Sequence, residues 1–551
     1  MRATVRVWLL AFAAMAVAAA TTVPYRHLWE PDEPRYCQSA REMIATGDWL
    51  VPRLHGDLYG HKPPVFMWLV AAGRLAGLDW TPAGVLPSLV PFCALLLLLP
   101  AMAQSFGLSR PAGELAAAFL AASPMAALMA LAARMDTLLE VLFAVSLWLA
   151  ARLVWPTGRP SPGAHLALWV TLAVATLTKG PVAVALFALT IGVTWLVARP
   201  RPSLAPLVAG PGPLAGMVVI LAWLVPAGLR GGLDYLREIL LRQSAGRMVD
   251  SFAHQKPFYY HLLTYPATGL PIAVLALTIV TATLRGRRSE PRTLLAAAMV
   301  AGLGFFSFLS GKLVIYLLPL FPAAALLAAD AVVEKRGQLR FGLGVGVAGM
   351  LVMGTVVALS PFFRAELASS AYPLAAAGGA IIACAMWALW NLRRHREPAT
   401  VAARLTLAGL LLPGAVFPIA THALDPTMHL ATVAAAVEEM EPTANDGFVF
   451  RMNVSGPSLY TGRIYRKLSA VEDLRQVLLA GRAVIVEEKI WRRVCAELSH
   501  LAIRKTVFDF RTGPVFVLRA RLPAPAAAAH GPVSTSPAPG DLAGVAPQTL
   551  H

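Results

Sequence analysis

The chain has 551 residues, 57% of them hydrophobic and only 14% charged, with a mean hydropathy of +0.63. Soluble domains carry about 25% charged residues, so this composition excludes an ordinary soluble fold and implies many bilayer-spanning helices. The net charge of +17 would suit nucleic acid as a partner, but the arginines gather in short loops between apolar runs, which is how a membrane protein sets its topology.

The first apolar run, about residues 7–23, lacks a small-x-small cleavage site before the charged loop that follows. It therefore reads as a transmembrane helix and not as a signal peptide. Residues 28–68, LWEPDEPRYCQSAREMIATGDWLVPRLHGDLYGHKPPVFMW, then concentrate Glu30, Asp32, Glu33, Arg35, Arg41, Glu42, Asp48, Arg53, His55, Asp57, His61 and Lys62. Within this loop residues 33–44 read as a short helix that Asp32 could cap, and Pro63-Pro64 breaks the backbone. Residues 65–78 are too short to span and suit an interfacial helix or an irregular crossing.

Twelve further apolar runs follow, at about 84–104, 114–131, 137–154, 165–178, 181–198, 206–228, 262–283, 293–310, 313–330, 341–360, 372–391 and 402–420, which brings the expected crossings to about thirteen, or to eleven or twelve where runs are separated by only one or two polar residues. With the N-terminus in the cytoplasm, the inner loops hold Arg110; Arg152 and Arg159; Arg199 and Arg201; Arg285, Arg287, Arg288 and Arg292; Lys335, Arg336 and Arg340; and Arg393, Arg394 and Arg396. The outer loops mix acids with bases, so the pattern follows the positive-inside rule and puts the C-terminal part outside.

The expected architecture is a polytopic α-helical membrane domain over residues 1–435, followed by a small extracytoplasmic α/β domain over 440–522. Strands are expected at 446–453 and 483–488, amphipathic helices at 471–481 and 491–499, and a strand pair at 507–520. The Pro/Ala-rich tail, 523–551, cannot bury a core and is expected to be disordered. Cys37, Cys93, Cys384 and Cys495 form no CxxC pair and no metal-ligand spacing, so a disulfide scaffold is not expected.

Besides the first loop, four polar signals fall at the same outer face: Arg134-Met135-Asp136; Thr178-Lys179-Gly180-Pro181; AHQKPFYYH, with His254, Lys256, Tyr259, Tyr260 and His261; and SGKLVIYLLP, with Lys312 and Tyr316. Taken singly, a lysine at a helix end is ordinarily an anchor, and Asp32 and Glu33 could be plain helix-start acids. Together they read as one site for a charged substrate beside lipid, because charge near membrane depth is costly and faces a cavity or a partner. Lysine and arginine suit a lipid phosphate, and a neighbouring carboxylate can accept a proton from an attacking hydroxyl. A transporter would use similar groups, but at mid-membrane on broken helices within inverted repeats, and no such repeat is present.

The WEPDEPRY loop, RMD, TKGP, HQKPFYY, SGKLVIYLLP and residues 457–463, PSLYTGR, occur in the order that resembles the ArnT-like branch of the GT-C glycosyltransferases. These are the 4-amino-4-deoxy-L-arabinose lipid A transferases and their dolichyl-phosphate-mannose-protein mannosyltransferase-like relatives. The resemblance implies a monomeric, multi-pass enzyme of the bacterial inner membrane with its active site facing the periplasm. It implies inverting transfer of a sugar from a polyprenyl-phosphate (undecaprenyl phosphate) carrier to lipid A, or to another glycan or protein, with membrane lipid and no nucleic acid as partner. On the same ground Asp32 and Asp136 are the catalytic acids, and Glu33, Arg35, Tyr36, Lys62, Lys179, Tyr259, Lys312 and Tyr316 contact the substrates. His254 matches a histidine that shares a metal with a glutamate in the aminoarabinose transferases. In this chain His61 stands in place of that glutamate, so zinc held by His61 and His254 would lack the carboxylate that offsets its charge.

Overall fold

The computed structural model describes residues 3–156, 162–240, 256–286, 288–335, 339–499, 501 and 503–520. His254, Arg159, Arg287, Arg336 and the 523–551 tail lie outside the described residues.

Among the described residues nine helices are long and apolar enough to cross a bilayer, from Thr4–Tyr25 to Pro398–Met440, and two bent helix pairs raise the number to eleven. Eleven lies at the lower end of the expected range, and the difference from thirteen rests on two neighbouring runs. The Pro162–Lys179 helix carries His165 and Lys179 and is not among the nine. The Val182–Val197 helix has 16 residues, roughly 24 Å at about 1.5 Å per residue, against a hydrocarbon core of about 30 Å. The bent pairs are Arg110–Ala122 with Pro124–Ala130, at 75°, and Tyr260–Thr268 with Ala273–Gly286, at 118°. Pro124 opens its helix and cannot donate to the preceding turn, which ends the first half of its pair at Ala122.

The first outer loop folds largely as expected. A helix spans Glu33–Thr46 and ends at Gly47, whose φ of 69° permits the left-handed cap. Asp32 makes no side-chain cap hydrogen bond; its carboxylate turns towards arginines instead. Strands β1 (Arg53–Leu54) and β2 (Asp57–Leu58) form a minimal hairpin, and the Val65–Leu75 helix follows the proline pair. All four cysteines are free thiols.

The C-terminal part is built on a five-stranded sheet of β3 (Asp446–Phe450), β4 (Ile464–Leu468), β5 (Val484–Glu487), β6 (Ile503–Phe508) and β7 (Val515–Ala520), in the order β4-β3-β5-β7-β6. β3 runs parallel to β4 and β5, while β7 runs antiparallel to β5 and β6. Alternation along the strands buries both faces. Val449, Ile485, Val515 and Val517 pack with Val433 and Val437, whereas Phe450, Val484, Phe516 and Leu518 pack with Leu474 and Leu478. The Ala431–Met440 helix, across which the expected domain boundary ran, therefore packs into the sheet's core. The Gly456–Thr461 helix lies in a stretch read only as a motif, and strand β4 follows in residues for which no element was expected.

Candidate active site

A cavity of about 580 Å³ opens between the first outer loop and the ends of several membrane helices. Its polar wall holds Asp32, Arg35, Tyr36, His61, Lys62, Arg134, Asp136, Lys179 and Tyr316, joined by Tyr59. Its apolar wall includes Leu139, Val182, Ile220, Leu224, Leu240 and Phe305. A second, apolar groove shares Phe305 and Leu309 with the cavity and runs along Leu189, Val193, Val300 and Gly304.

Five residues of the polar wall form one chain of ion pairs. Asp32 Oδ1 accepts from Arg35 Nη1 at 3.1 Å and Asp32 Oδ2 from Arg134 Nη1 at 2.5 Å. Arg134 Nε donates at 3.3 Å to Asp136, whose other oxygen accepts from Lys179 Nζ at 2.5 Å. Arg134 thus links the two acids proposed as catalytic. The Arg134 carbonyl accepts from Ser88 Oγ at 2.7 Å, and the residue sits in extended backbone immediately before the Met135–Val154 helix. Burial opposes the charge on Arg134, but Asp136 and Asp32 outweigh it and hold the guanidinium protonated far above its ordinary value. Asp136 lies in the first turn of its helix, where the dipole favours an anion, and Lys179 ends its helix, where the dipole favours a cation. Lys179 Nζ also lies 5.1 Å from the centre of the Tyr316 ring, a cation–π contact. Gly180, at φ 90°, turns the chain from Lys179 into the next helix.

The two acids differ in exposure. The side chain of Asp32 is 26% exposed, whereas that of Asp136 is 3% exposed and held by two cations. The structure therefore suits Asp32 to meet an incoming group and Asp136 to hold Arg134 and Lys179 in place.

Three expected contact residues do not line the cavity. Glu33 turns inward, and its carboxylate accepts from Arg26 Nη1 at 2.8 Å, Arg26 Nη2 at 2.9 Å, the Trp29 N–H at 2.7 Å and the Ala133 N–H at 2.9 Å. Four donors saturate a carboxylate, and these contacts tie the first loop to the turn before Arg134. Lys312 is buried, and its ammonium donates to the carbonyls of Leu309 and Lys256, although its neighbours Gly311 and Leu313 line the cavity. Tyr259 is 47% exposed and stacks edge-on with Phe258. Arg134 and Tyr59 were not singled out from the sequence as site residues. The RMD signal contained Arg134, but its pairing with Asp32 spans 102 residues.

The expected pairing of His61 with His254 lies outside the described residues, because His254 does; His61 lies 3.6 Å from Glu238. A different cluster has the donor set for a divalent ion. The ligand atoms of His27, Asp425 and His429 lie within 4.8 Å of one another. His27 Nδ1 is 2.8 Å and His429 Nε2 3.6 Å from Asp425 Oδ2. The Ala431 N–H donates to His429 Nδ1 at 3.1 Å, which leaves the proton on Nε2, the nitrogen facing Asp425. A metal would have to displace that proton; as the cluster stands, His27 is hydrogen-bonded to Asp425 and His429 lies beside the pair.

The chain joins helices long and apolar enough to cross a bilayer, a charged loop beside a cavity and a small α/β domain. No family model matches the chain. It is 30% identical over 405 residues to the undecaprenyl phosphate-alpha-4-amino-4-deoxy-L-arabinose arabinosyl transferase of Aeromonas hydrophila, covering 70% of this chain and 71% of that one. It is 29% identical over 403 residues to the Aeromonas salmonicida protein of the same name, with the same coverage. It is 30% identical over 364 residues to that of Pseudomonas aeruginosa, 64% of each chain. The fold superposes on ArnT from Cupriavidus metallidurans bound to undecaprenyl phosphate with a TM-score of 0.76 at 21% identity, over 95% of this chain and 98% of that one. On the apo form the TM-score is 0.75, over 93% and 97% of the two chains. The chain belongs to the ArnT/GT-C superfamily.

Proposed function

We propose that the protein transfers a sugar, 4-amino-4-deoxy-L-arabinose, from undecaprenyl phosphate to lipid A at the periplasmic face of the inner membrane, inverting the anomeric carbon. The observation that carries this reading is the cavity, in which Arg35, Lys62, Arg134 and Lys179 line a polar wall that passes into an apolar groove. The relatives' names support the donor and the sugar.

The phosphate of the donor is held by the cations and its polyprenyl chain by the apolar wall. An acceptor oxygen attacks the anomeric carbon from the face opposite the phosphate. The new carbon–oxygen bond forms as the bond from that carbon to the phosphate oxygen breaks, and the electron pair leaves with undecaprenyl phosphate. The leaving group gains negative charge in this step, so Lys62, Lys179 and Arg134 bind it more strongly in the transition state than in the ground state. An ionised phosphate acceptor has no proton to lose, and Asp32 then orients it. A hydroxyl acceptor, on a protein or another glycan, passes its proton to Asp32. Asp136 keeps Lys179 and Arg134 aimed at the phosphate. A zinc ion, where the protein takes one, has a donor set in His27, Asp425 and His429, and no step of the transfer is routed through it.

The test is mass spectrometry of lipid A and of polyprenyl-phosphate sugars from cells with the gene, without it, and with Asp32→Asn. The expected result is a lipid A mass addition that needs the gene and is lost in the Asn variant retained in the membrane. A modification found instead on protein or polysaccharide would move the acceptor. Unchanged glycans in every fraction after deletion would overturn the transferase reading, and with it leave a transporter of the lipid-linked sugar.

A further inference from the structure

Residues 455–462, which take in most of the PSLYTGR stretch, lie in the C-terminal domain outside the cavity, yet the first outer loop grips them at four points. The Glu30 carboxylate is buried and accepts the Gly456 N–H at 2.6 Å and the Ser455 N–H at 3.1 Å. The Leu28 N–H donates to the Tyr460 hydroxyl at 2.9 Å. His55 Nδ1 is 3.0 Å from Ser458 Oγ and Nε2 is 3.3 Å from Ser455 Oγ. Arg41 Nη1 donates to the Gly462 carbonyl. His55 is itself fixed at φ 58°, where its N–H and that of Gly56 donate to Glu42 at 2.7 and 3.0 Å. The Glu30 N–H donates to the Met428 carbonyl at 3.0 Å.

We propose that Glu30 is a positioning residue: by binding the backbone N–H groups of Ser455 and Gly456, it uses the C-terminal domain to hold Asp32 against Arg134 and Arg35. Only Pro31 separates Glu30 from Asp32, so a shift of one carries the other. Gly456 is matched to this contact, since a Cβ there would stand 2.6 Å from Glu30 Oε1. The helix Gly456–Thr461 is too short to be an anion site of its own; it serves as the fixed end of a clamp whose moving end is the first loop. Misplacing a catalytic group by about an ångström costs up to about 100-fold in rate, which gives the clamp its catalytic consequence without any contact to substrate. Arg35 and Arg511 face the carboxylate electrostatically.

The inference rests on Asp32 acting at the transferring centre, and the experiment keeps the two apart. The full chain in detergent is compared with Glu30→Ala, Glu30→Gln and Gly456→Ala by hydrogen–deuterium exchange of residues 28–46 and 455–462. Transfer from undecaprenyl-phosphate-linked 4-amino-4-deoxy-L-arabinose to lipid A is measured in parallel. Glu30→Ala and Gly456→Ala are expected to speed exchange in both segments at least about 10-fold and to lower kcat by about 10- to 100-fold, with the donor KM within about twofold. Glu30→Gln keeps an oxygen for both N–H groups and is expected to stay close to wild type in both readouts. Unchanged exchange in the two alanine variants overturns the clamp, whatever the enzyme transfers. Fast exchange with unchanged kcat overturns the positioning role. A wild-type protein that transfers nothing overturns the functional reading while the exchange result still decides the clamp.

Discussion

The first outer loop has two faces that treat their acids in opposite ways. On the face towards the C-terminal domain and the protein interior, Glu30, Glu33 and Glu42 all accept backbone N–H groups. On the face towards the cavity, Asp32, like Asp136 opposite it in the Met135–Val154 helix, meets only side-chain cations in the contacts described. Backbone donors are fixed by the fold and cannot follow a substrate, so acids saturated by them hold the architecture. Side-chain cations can rearrange around an incoming phosphate, so acids paired with them can take part in binding and transfer. Sequence neighbours such as Asp32 and Glu33 thus fall into different classes.

The largest way to break the comparison is Asp32→Asn, for which transfer should fall on the order of 10³-fold in a protein that remains folded. Glu33→Gln should act on the other face: the buried Arg26 guanidinium loses its counter-charge, and stability drops by about 3–5 kcal/mol, read as lost yield and a lower Tm. Lys179→Gln should raise the donor KM about 10- to 100-fold, the worth of one charge-assisted hydrogen bond, and a KM unchanged in a folded variant would remove Lys179 from phosphate binding.

Glu30 gives a smaller, pH-dependent effect. Burial pushes its carboxyl up to about 7, against the Gly456 and Ser455 N–H groups that favour the anion. The folded value lies above the ordinary one, so the folded protein binds the additional proton. That stabilisation is complete below the ordinary carboxylate range and is lost as pH rises through about 7. Thermal stability should therefore fall by a few degrees between about pH 6 and about pH 8, and Glu30→Gln should flatten the slope; equal slopes would contradict the assignment. The smallest effect belongs to Tyr259→Phe, which should change transfer by less than about twofold, because Tyr259 stands outside the cavity.

The membrane helices were legible because apolar length is read along one dimension. The count was less so, since Pro162–Lys179 and Val182–Val197 form helices that fall short of the nine in length or apolarity. Asp32, Arg35, Tyr36, His61, Lys62, Asp136, Lys179 and Tyr316 converge on one cavity, and the shared outer face was the visible signal. Glu33 and Lys312 show the limit of that signal, because topology gives the side of the membrane but not the direction in which a side chain leaves the backbone. The Gly456–Thr461 helix has six residues, too few for a periodicity, so its role as the loop's docking partner could not be read from spacing.

The central claim is tested most directly by a single-turnover assay of Asp32→Asn and Glu33→Gln side by side, with transfer expressed per folded molecule. The account predicts that Asp32→Asn is folded and nearly inactive, while the folded fraction of Glu33→Gln transfers within about tenfold of wild type. Near-wild-type transfer by Asp32→Asn, or a folded but inactive Glu33→Gln, would contradict it.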